Sequence, residues 1–290
     1  MKGAAAALLV VAACGRLGFD GDRGRQVDAS EAAADTDADG VVDDLDNCAA
    51  LANPTQHDED RDGRGDACDG CPHRAAATID DGDGDGVEDA CDPSNAADNR
   101  IEVFAGFGAG DDVSGWLAQV SSGAGWTVGD DALHVALPDA EVGLYTWPSP
   151  AGTTVRVEAR VDVEVIAPPF PGFAFRNVSL VDHVSGTPPM EDALFLGLNQ
   201  DTSGPVPVAL SIIQLIDGGN AGSLADGMLA NDLATTTYEL RYGRAGINRQ
   251  IDVLVPAPSQ VQVDVVGEGG GIGVRIRGLT VAIAYIVVIA

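Results

Sequence analysis

Three segments of this chain superpose without a gap, and each carries the same acidic residues at one constant step along the sequence. Asp35, Asp37, Asp39, Gly40, Asp43 and Asp46 recur as Asp58, Asp60, Asp62, Gly63, Asp66 and Asp69, and again as Asp81, Asp83, Asp85, Gly86, Asp89 and Asp92. Repetition this regular makes residues 35–92 an array, one device used three times. Within each copy the residues fall at positions 1, 3, 5, 6, 9 and 12. Alternate side chains of a tightly turning loop of this length converge on one point, and glycine at position six permits the turn. A hard divalent cation needs about six to eight oxygens at roughly 2.3–2.6 Å, which this spacing supplies. Position seven would add a backbone carbonyl, from Val41, Arg64 and Val87. Four or five carboxylates so close together cannot all stay ionised without a cation. Calcium suits them better than magnesium, whose octahedron is stricter and whose water is held harder. Because position seven contributes only its carbonyl, the side chains of Arg61 and Arg64 are expected to matter little.

Paired helices cannot flank these loops. Eleven residues separate one loop from the next, and Pro54 and Pro72 interrupt them. Nor is there a core within the array: from Asp35 to Asp92 it holds no Phe, Trp or Tyr, and its only large aliphatics are Val41, Val42, Leu45, Leu51, Ile79 and Val87. Metal is expected to supply the order that burial does not. Residues 28–98 carry 22 acidic side chains against three arginines, which is −19 of the chain's formal −29. Charge so concentrated repels phosphate backbones and excludes nucleic acid as a partner, while attracting cations.

The thiols follow the same period. Cys48 and Cys68 are 20 apart, as are Cys71 and Cys91, and the second pair lies one repeat beyond the first. Four cysteines allow three connectivities, of which the repeat favours Cys48–Cys68 with Cys71–Cys91. Each crosslink of that length contributes roughly 3 kcal/mol. The rival is a four-thiolate zinc site using "CDGC", which lacks a second closely spaced pair.

"DTDADGVVDDLDNC", "NPTQHDEDRDGRGDACD" and "DGDGDGVEDACD" closely resemble thrombospondin type 3 repeats, over about one fifth of the chain. The resemblance implies a calcium-wrapped, disulfide-pinned stalk with little regular secondary structure, found in extracellular and adhesion-related proteins. Ala49 replaces the proline that usually follows the first cysteine, and the array is short.

At the N-terminus, Lys2 precedes ten small or apolar residues, Ala4 to Ala13, too few to span a bilayer. "VAAC", Val11 to Cys14, resembles the lipobox of a bacterial lipoprotein signal. That resemblance implies cleavage before Cys14, lipidation of that residue and anchoring at a membrane surface. The alternative is an ordinary secretory signal with an incidental cysteine.

From Ile101 onward short apolar runs alternate with Gly, Pro and Asp. "TTVRVEARVDVEVIA" places Val155, Val157, Val161, Val163 and Val165 on one face and Arg156, Glu158, Arg160, Asp162 and Glu164 on the other. This is the pattern of a long half-buried strand with a solvated charge ladder outside. The closing "LTVAIAYIVVIA" reads as a strand buried on both faces. About a dozen such segments predict an all-β, antiparallel sandwich. The opening "IEVFAGFGAGDDVSGWLAQVSSGAGWTVGDDALHV" and the closing "GIGVRIRGLTVAIAYIVVIA" resemble concanavalin A-like (laminin G-like) jelly-roll domains. Such folds host lectins, glycosidases and adhesion modules alike. Glu158, Asp162 and Glu164 lack the tight carboxylate spacing of that fold's glycosidases, and His57, His73, His134 and His183 have no nucleophile motif beside them, so no catalysis is expected. Trp116 and Trp126 read as core residues. Trp147, before "PSP" at a strand end, is the candidate for stacking on a sugar.

The expected organisation is a signal peptide (1–13), a lipidated Cys14 with a polar tether (14–34), a calcium-binding repeat stalk (35–98) and a jelly-roll sandwich (99–290). The chain is expected at the outer membrane or cell surface, with calcium, the membrane and a carbohydrate or cell-surface protein as partners. The alternatives are a structural spacer with an inert sandwich and a polysaccharide-active enzyme.

Overall fold

Alternating apolar residues in the last two thirds of the chain build fifteen strands among the residues that the structure, a computed structural model, describes. These residues are 33–96, 98–108, 117–120, 125–136, 142–147, 154–166, 175–187, 190–201, 208–216, 219–229, 232–266 and 271–290. The signal, Cys14 and Trp116 lie outside them. The strands begin with β1 (Ile101–Ala105), β2 (Leu117–Val120), β3 (Gly125–Gly129), β4 (Ala132–Ala136) and β5 (Val142–Trp147). Next come β6 (Thr154–Ile166), β7 (Phe175–Thr187), β8 (Met190–Asp201), β9 (Ala209–Ile216) and β10 (Gly219–Met228). The last are β11 (Thr237–Ala245), β12 (Asn248–Val255), β13 (Ser259–Asp264), β14 (Ile272–Arg277) and β15 (Leu279–Ile289).

All pairings are antiparallel. One sheet runs β13-β12-β11-β6-β15-β4-β3, with β1 also on β15; the other runs β10-β9-β8-β7-β14-β5-β2. Consecutive strands β14 and β15 sit in different sheets, so the chain crosses between layers at Gly278, whose φ of 65° is left-handed. Between the sheets lies one apolar core that includes Val157, Val161, Leu180, Leu196, Ile212, Leu240, Val274 and Ile283. The expected all-β antiparallel sandwich is the fold, with both expected disulfides, Cys48–Cys68 and Cys71–Cys91, in the segment before it.

The repeat segment lies against the outer face of the sheet that contains β6 and β15, and Asp35–Ala290 is one compact unit. A register shift between Ile283 and Tyr285 explains how β15 serves both sides. Before it, Leu279, Val281 and Ile283 face the sandwich core; after it Ile286 and Val288 do, and Val287 and Ile289 turn outward. There Val287 and Ile289 form a second apolar cluster with Cys71, Val87 and Cys91 of the array, flanked by Ile101 and Phe104. The doubly buried strand read from "LTVAIAYIVVIA" is real because the array covers its second face. Within the array Leu45 and Ile79 are exposed, so its apolar contribution is made to the sandwich rather than to itself.

Two readings of β6 are corrected. Val165, assigned to the buried face, is exposed, because the pairing with β15 slips by a residue between Val163 and Val165. Glu158, assigned to a solvated ladder, is only 1% exposed, because the array lies over it.

Candidate functional site

The three loops share most of their hydrogen bonds. At position one, Asp35, Asp58 and Asp81 each accept through Oδ2 from the N–H of the position-six glycine, at 3.2, 3.0 and 3.0 Å. Those glycines have φ of 99°, 96° and 96°, which side chains resist. At position five, Asp39, Asp62 and Asp85 accept through Oδ1 from the N–H two residues on. Through Oδ2 they accept from the N–H of Asn53, Ala76 and Asn99, which follow one another at the same repeat step. Position twelve accepts from the N–H of Cys48, Cys71 and Ser94. Position nine behaves differently. Asp43, Asp66 and Asp89 each brace the position-two N–H, that of Thr36, Glu59 and Gly82, across the loop.

What remains is a converging set of oxygens. Asp35, Asp37 and Asp39 each offer one oxygen within 4.8 Å of the others, as do Asp58, Asp60 and Asp62, and Asp81, Asp83 and Asp85. The structure thus brings positions one, three and five together in all three loops. Asp37 Oδ2, Asp46 Oδ2, Asp58 Oδ1, Asp60 Oδ2 and Asp69 Oδ2 are buried with no hydrogen-bond partner. A buried carboxylate oxygen left so is costly. Burial accordingly pushes the carboxyls of Asp37 and Asp60 upward, and that of Asp69 to about 6 against the opposing Cys71 N–H and Arg64 charge. The chemistry of this all-oxygen donor set fits calcium. Val41, Arg64 and Val87 stand at position seven, where backbone carbonyls complete such loops.

Arg64 has a second role that its position did not predict. Its guanidinium sits 2.8 Å from Asp62 and 3.3 Å from Asp69, both of the second loop, and also pairs with Glu88 of the third. Its hydrogen bond is the main reason that Asp62 is held below the usual carboxylate range. The expectation that the Arg64 side chain is dispensable is therefore corrected: it ties two loops together.

A cluster of polar side chains around Glu158 binds array to sandwich. Glu158 on β6 accepts from Arg74 Nη2 at 2.7 Å and Arg241 Nε at 2.7 Å, and its Oε2 lies 3.2 Å from His73 Nε2. Burial opposes the Glu158 charge, but His73, Arg74 and Arg241 outweigh it and hold the carboxyl at about 2. The His73 ring packs at 5.2 Å on Tyr285 of β15. Arg156 adds a 2.8 Å bond to the Cys91 carbonyl. Gly108 lies so close to the His57 imidazole that a Cβ there would force the ring to move.

Two clefts stand out among the described residues. The larger, about 780 Å³, runs along the seam between the second loop and the sandwich. It is acidic, with Asp58, Glu59, Asp60, Asp130, Asp131 and Glu239 in its wall. Glu59 there is pushed up to about 7, chiefly by burial and then by Asp66. The smaller, about 280 Å³, lies on the outer face of the other sheet and includes Phe175, Asn177, Phe195, Asn199, Arg275 and Arg277. Sequence reading missed both, because each is assembled from strands far apart in the chain. Trp147, the sequence candidate for sugar stacking, is half-buried against the sandwich core at the end of β5, outside the smaller cleft, and Trp126 packs against the same core.

No protein-family model matches the chain, and no curated protein matches it. Solved structures similar to it include a Bacillus subtilis protein of unknown function with a galectin-like fold, at 14% identity and a TM-score of 0.47, covering 65% of this chain and 94% of that one. The CBM2 module of the Lactobacillus casei BL23 phage J-1 evolved Dit is 11% identical with a TM-score of 0.46, over 66% of this chain and 95% of that one. The exoplasmic/lumenal domain of VIP36, in a form bound to Ca2+ and mannose, is 11% identical with a TM-score of 0.43, over 60% and 82%. At likenesses this low, function rests on the chain's own residues.

Proposed function

We propose that this chain is a non-catalytic surface module in which the 35–92 array binds calcium as a structural metal and the sandwich binds carbohydrate. One observation carries the calcium reading: three loops each converge three aspartates, with buried, unpartnered oxygens in the first two. Asp35, Asp37, Asp39 and Asp46 would hold the ion in the first loop, Asp58, Asp60, Asp62 and Asp69 in the second, and Asp81, Asp83, Asp85 and Asp92 in the third. Bound calcium would supply the positive charge that lets these carboxylates stay ionised together. The chain's part is to orient them: each loop has its glycine turn and position-nine brace, and the two disulfides link the segments between successive loops. The export signal and "VAAC" support anchoring at the cell surface through a lipidated Cys14.

Calcium uptake by the full chain, followed by equilibrium dialysis, tests this. Extracellular modules bind at about 10⁻⁴ to 10⁻³ M. Asp60→Asn with Asp62→Asn should remove about one third of the bound calcium, since one of three equivalent loops is lost. Wild-type protein that takes up no calcium at several millimolar, or a variant that takes up as much as wild type, would defeat the reading.

The carbohydrate reading is favoured by the smaller cleft. Apolar walls with a few convergent amides and guanidinium groups are the usual make-up of a small-molecule site. Phe175, 45% exposed at its edge, offers an aromatic face to a sugar ring. Glycan-array screening of the full chain checks it, with loss of binding in Phe175→Ser as the expected mark of this cleft.

A further inference from the structure

We infer that the smaller cleft selects sugars bearing an acidic group, a carboxylate or a sulfate ester, over neutral sugars. This deepens the carbohydrate reading above and rests on it. The chain is strongly acidic, at a formal −29, and in its larger cleft carboxylates outnumber arginines seven to two. Against that background the described lining of the smaller cleft contains Arg275 and Arg277 and no acidic residue. The two arginines alternate along β14, so both leave the same face of the sheet, whereas Val274 before them and Ile276 between them enter the core. Beside them across the sheet stand Asn177, the partner of Arg277 on β7, and Asn199, the partner of Asn177 on β8.

Three side chains narrow the ligand. The Arg275 guanidinium carbon lies 4.0 Å above the Phe195 ring, which supports the group from one side. The donors of a guanidinium lie in its own plane and match two oxygens of a carboxylate or sulfate. Asn177 is 3% exposed and its Oδ1 is buried with no hydrogen-bond partner, while its Nδ2 donates to Ser179 Oγ at 3.3 Å. An acceptor so placed calls for an O–H or N–H donor. A bare inorganic anion has none to give, whereas a sugar hydroxyl does. Phe175, exposed at the rim, adds a surface for the carbon face of a pyranose ring. Anion, hydroxyl and apolar ring face occur together in uronic acids and in sulfated sugars.

The test is titration calorimetry of the full chain with three probes: oligogalacturonate, a sulfated galactan oligosaccharide, and the uncharged galactose oligosaccharide. One or both acidic probes should bind at least about tenfold more tightly than the neutral one, and which of them does assigns the acid. Arg277→Gln should weaken acidic binding by about tenfold or more, with Arg277→Lys recovering part of it by charge without the fork. Phe175→Ser should weaken every sugar. If Arg277→Gln does not fold, Arg277→Lys reads the same contribution, since losing the fork should weaken the acidic probes and spare the neutral one. Equal affinity for neutral and acidic probes, all lost in Phe175→Ser, would overturn the acid preference and leave the carbohydrate reading standing. Acidic binding unmoved by both Arg277→Gln and Phe175→Ser would place the ligand elsewhere and overturn the inference. No binding of any probe would overturn both readings.

Discussion

Replacing Glu158 by Gln keeps its shape and removes its charge at the joint between array and sandwich. In the folded chain this carboxyl is held at about 2, against 4.5 for the ordinary group. A difference of that size amounts to roughly 3 kcal/mol, at about 1.36 kcal/mol for each tenfold change in proton affinity. Because the folded value is the lower one, that stability is fully present above pH 4.5 and is lost as pH falls toward 2. Loss of one partner from a buried ion cluster costs about 3–5 kcal/mol, which agrees. Glu158→Gln should therefore be about 3 kcal/mol less stable near pH 7, and the gap should close toward pH 2. Chemical denaturation of both proteins at pH 7, 5, 4, 3 and 2 measures it, with calcium held constant. Two of the three partners, His73 and Arg74, belong to the array, so the variant should also show faster proteolysis within residues 35–92. A gap below about 1 kcal/mol at pH 7, the scale of an exposed cross-strand charge pair, would refute the buried joint. So would a gap that does not depend on pH.

Arg64→Ala should destabilise the array by about 1–3 kcal/mol through its contacts with Asp62, Asp69 and Glu88, read as a lower thermal midpoint; an unchanged midpoint would return the residue to a carbonyl-only role. Gly63→Val should cost about 1–2 kcal/mol because position six needs a φ of 96°, and it should weaken calcium binding by the second loop, followed by calorimetry. Cys14→Ser should yield protein released from membranes on detergent phase separation, and retention in the detergent phase would refute lipid anchoring at that residue.

The local half of this molecule was legible in the order of its residues. The array announced itself because its interactions span few residues: position one to six, position five to seven, and one cysteine to the next 20 away. The long strands were legible for the same reason, since a period of two needs no knowledge of the neighbour. What could not be read was contact between distant parts. Glu158 looks like one rung of a solvated ladder until His73 and Arg74, some 85 residues earlier, are placed on it. The bulge that turns Val287 and Ile289 outward leaves no mark in a run of aliphatics. Arg64 satisfied the loop rule through its carbonyl, which hid what its side chain does. The smaller cleft draws on four neighbouring strands of one sheet, β9, β8, β7 and β14, none of which carries a motif.

Asn53, Ala76 and Asn99 close the three loops in turn, and the last of them is followed at once by Arg100, whose backbone pairs in both directions with Ala290 at the end of the sandwich. The sandwich thus takes the place that a fourth copy would occupy. Growth of the array is therefore possible in one direction only: whole units, each as long as the stretch from Asp35 to His57, inserted ahead of Asp35 would each find a loop to close onto. A unit inserted after Asp92 would break the junction with β1. If Cys14 is the anchor and the smaller cleft the sugar site, as proposed above, copy number would set the length between them in steps and leave the docked end untouched.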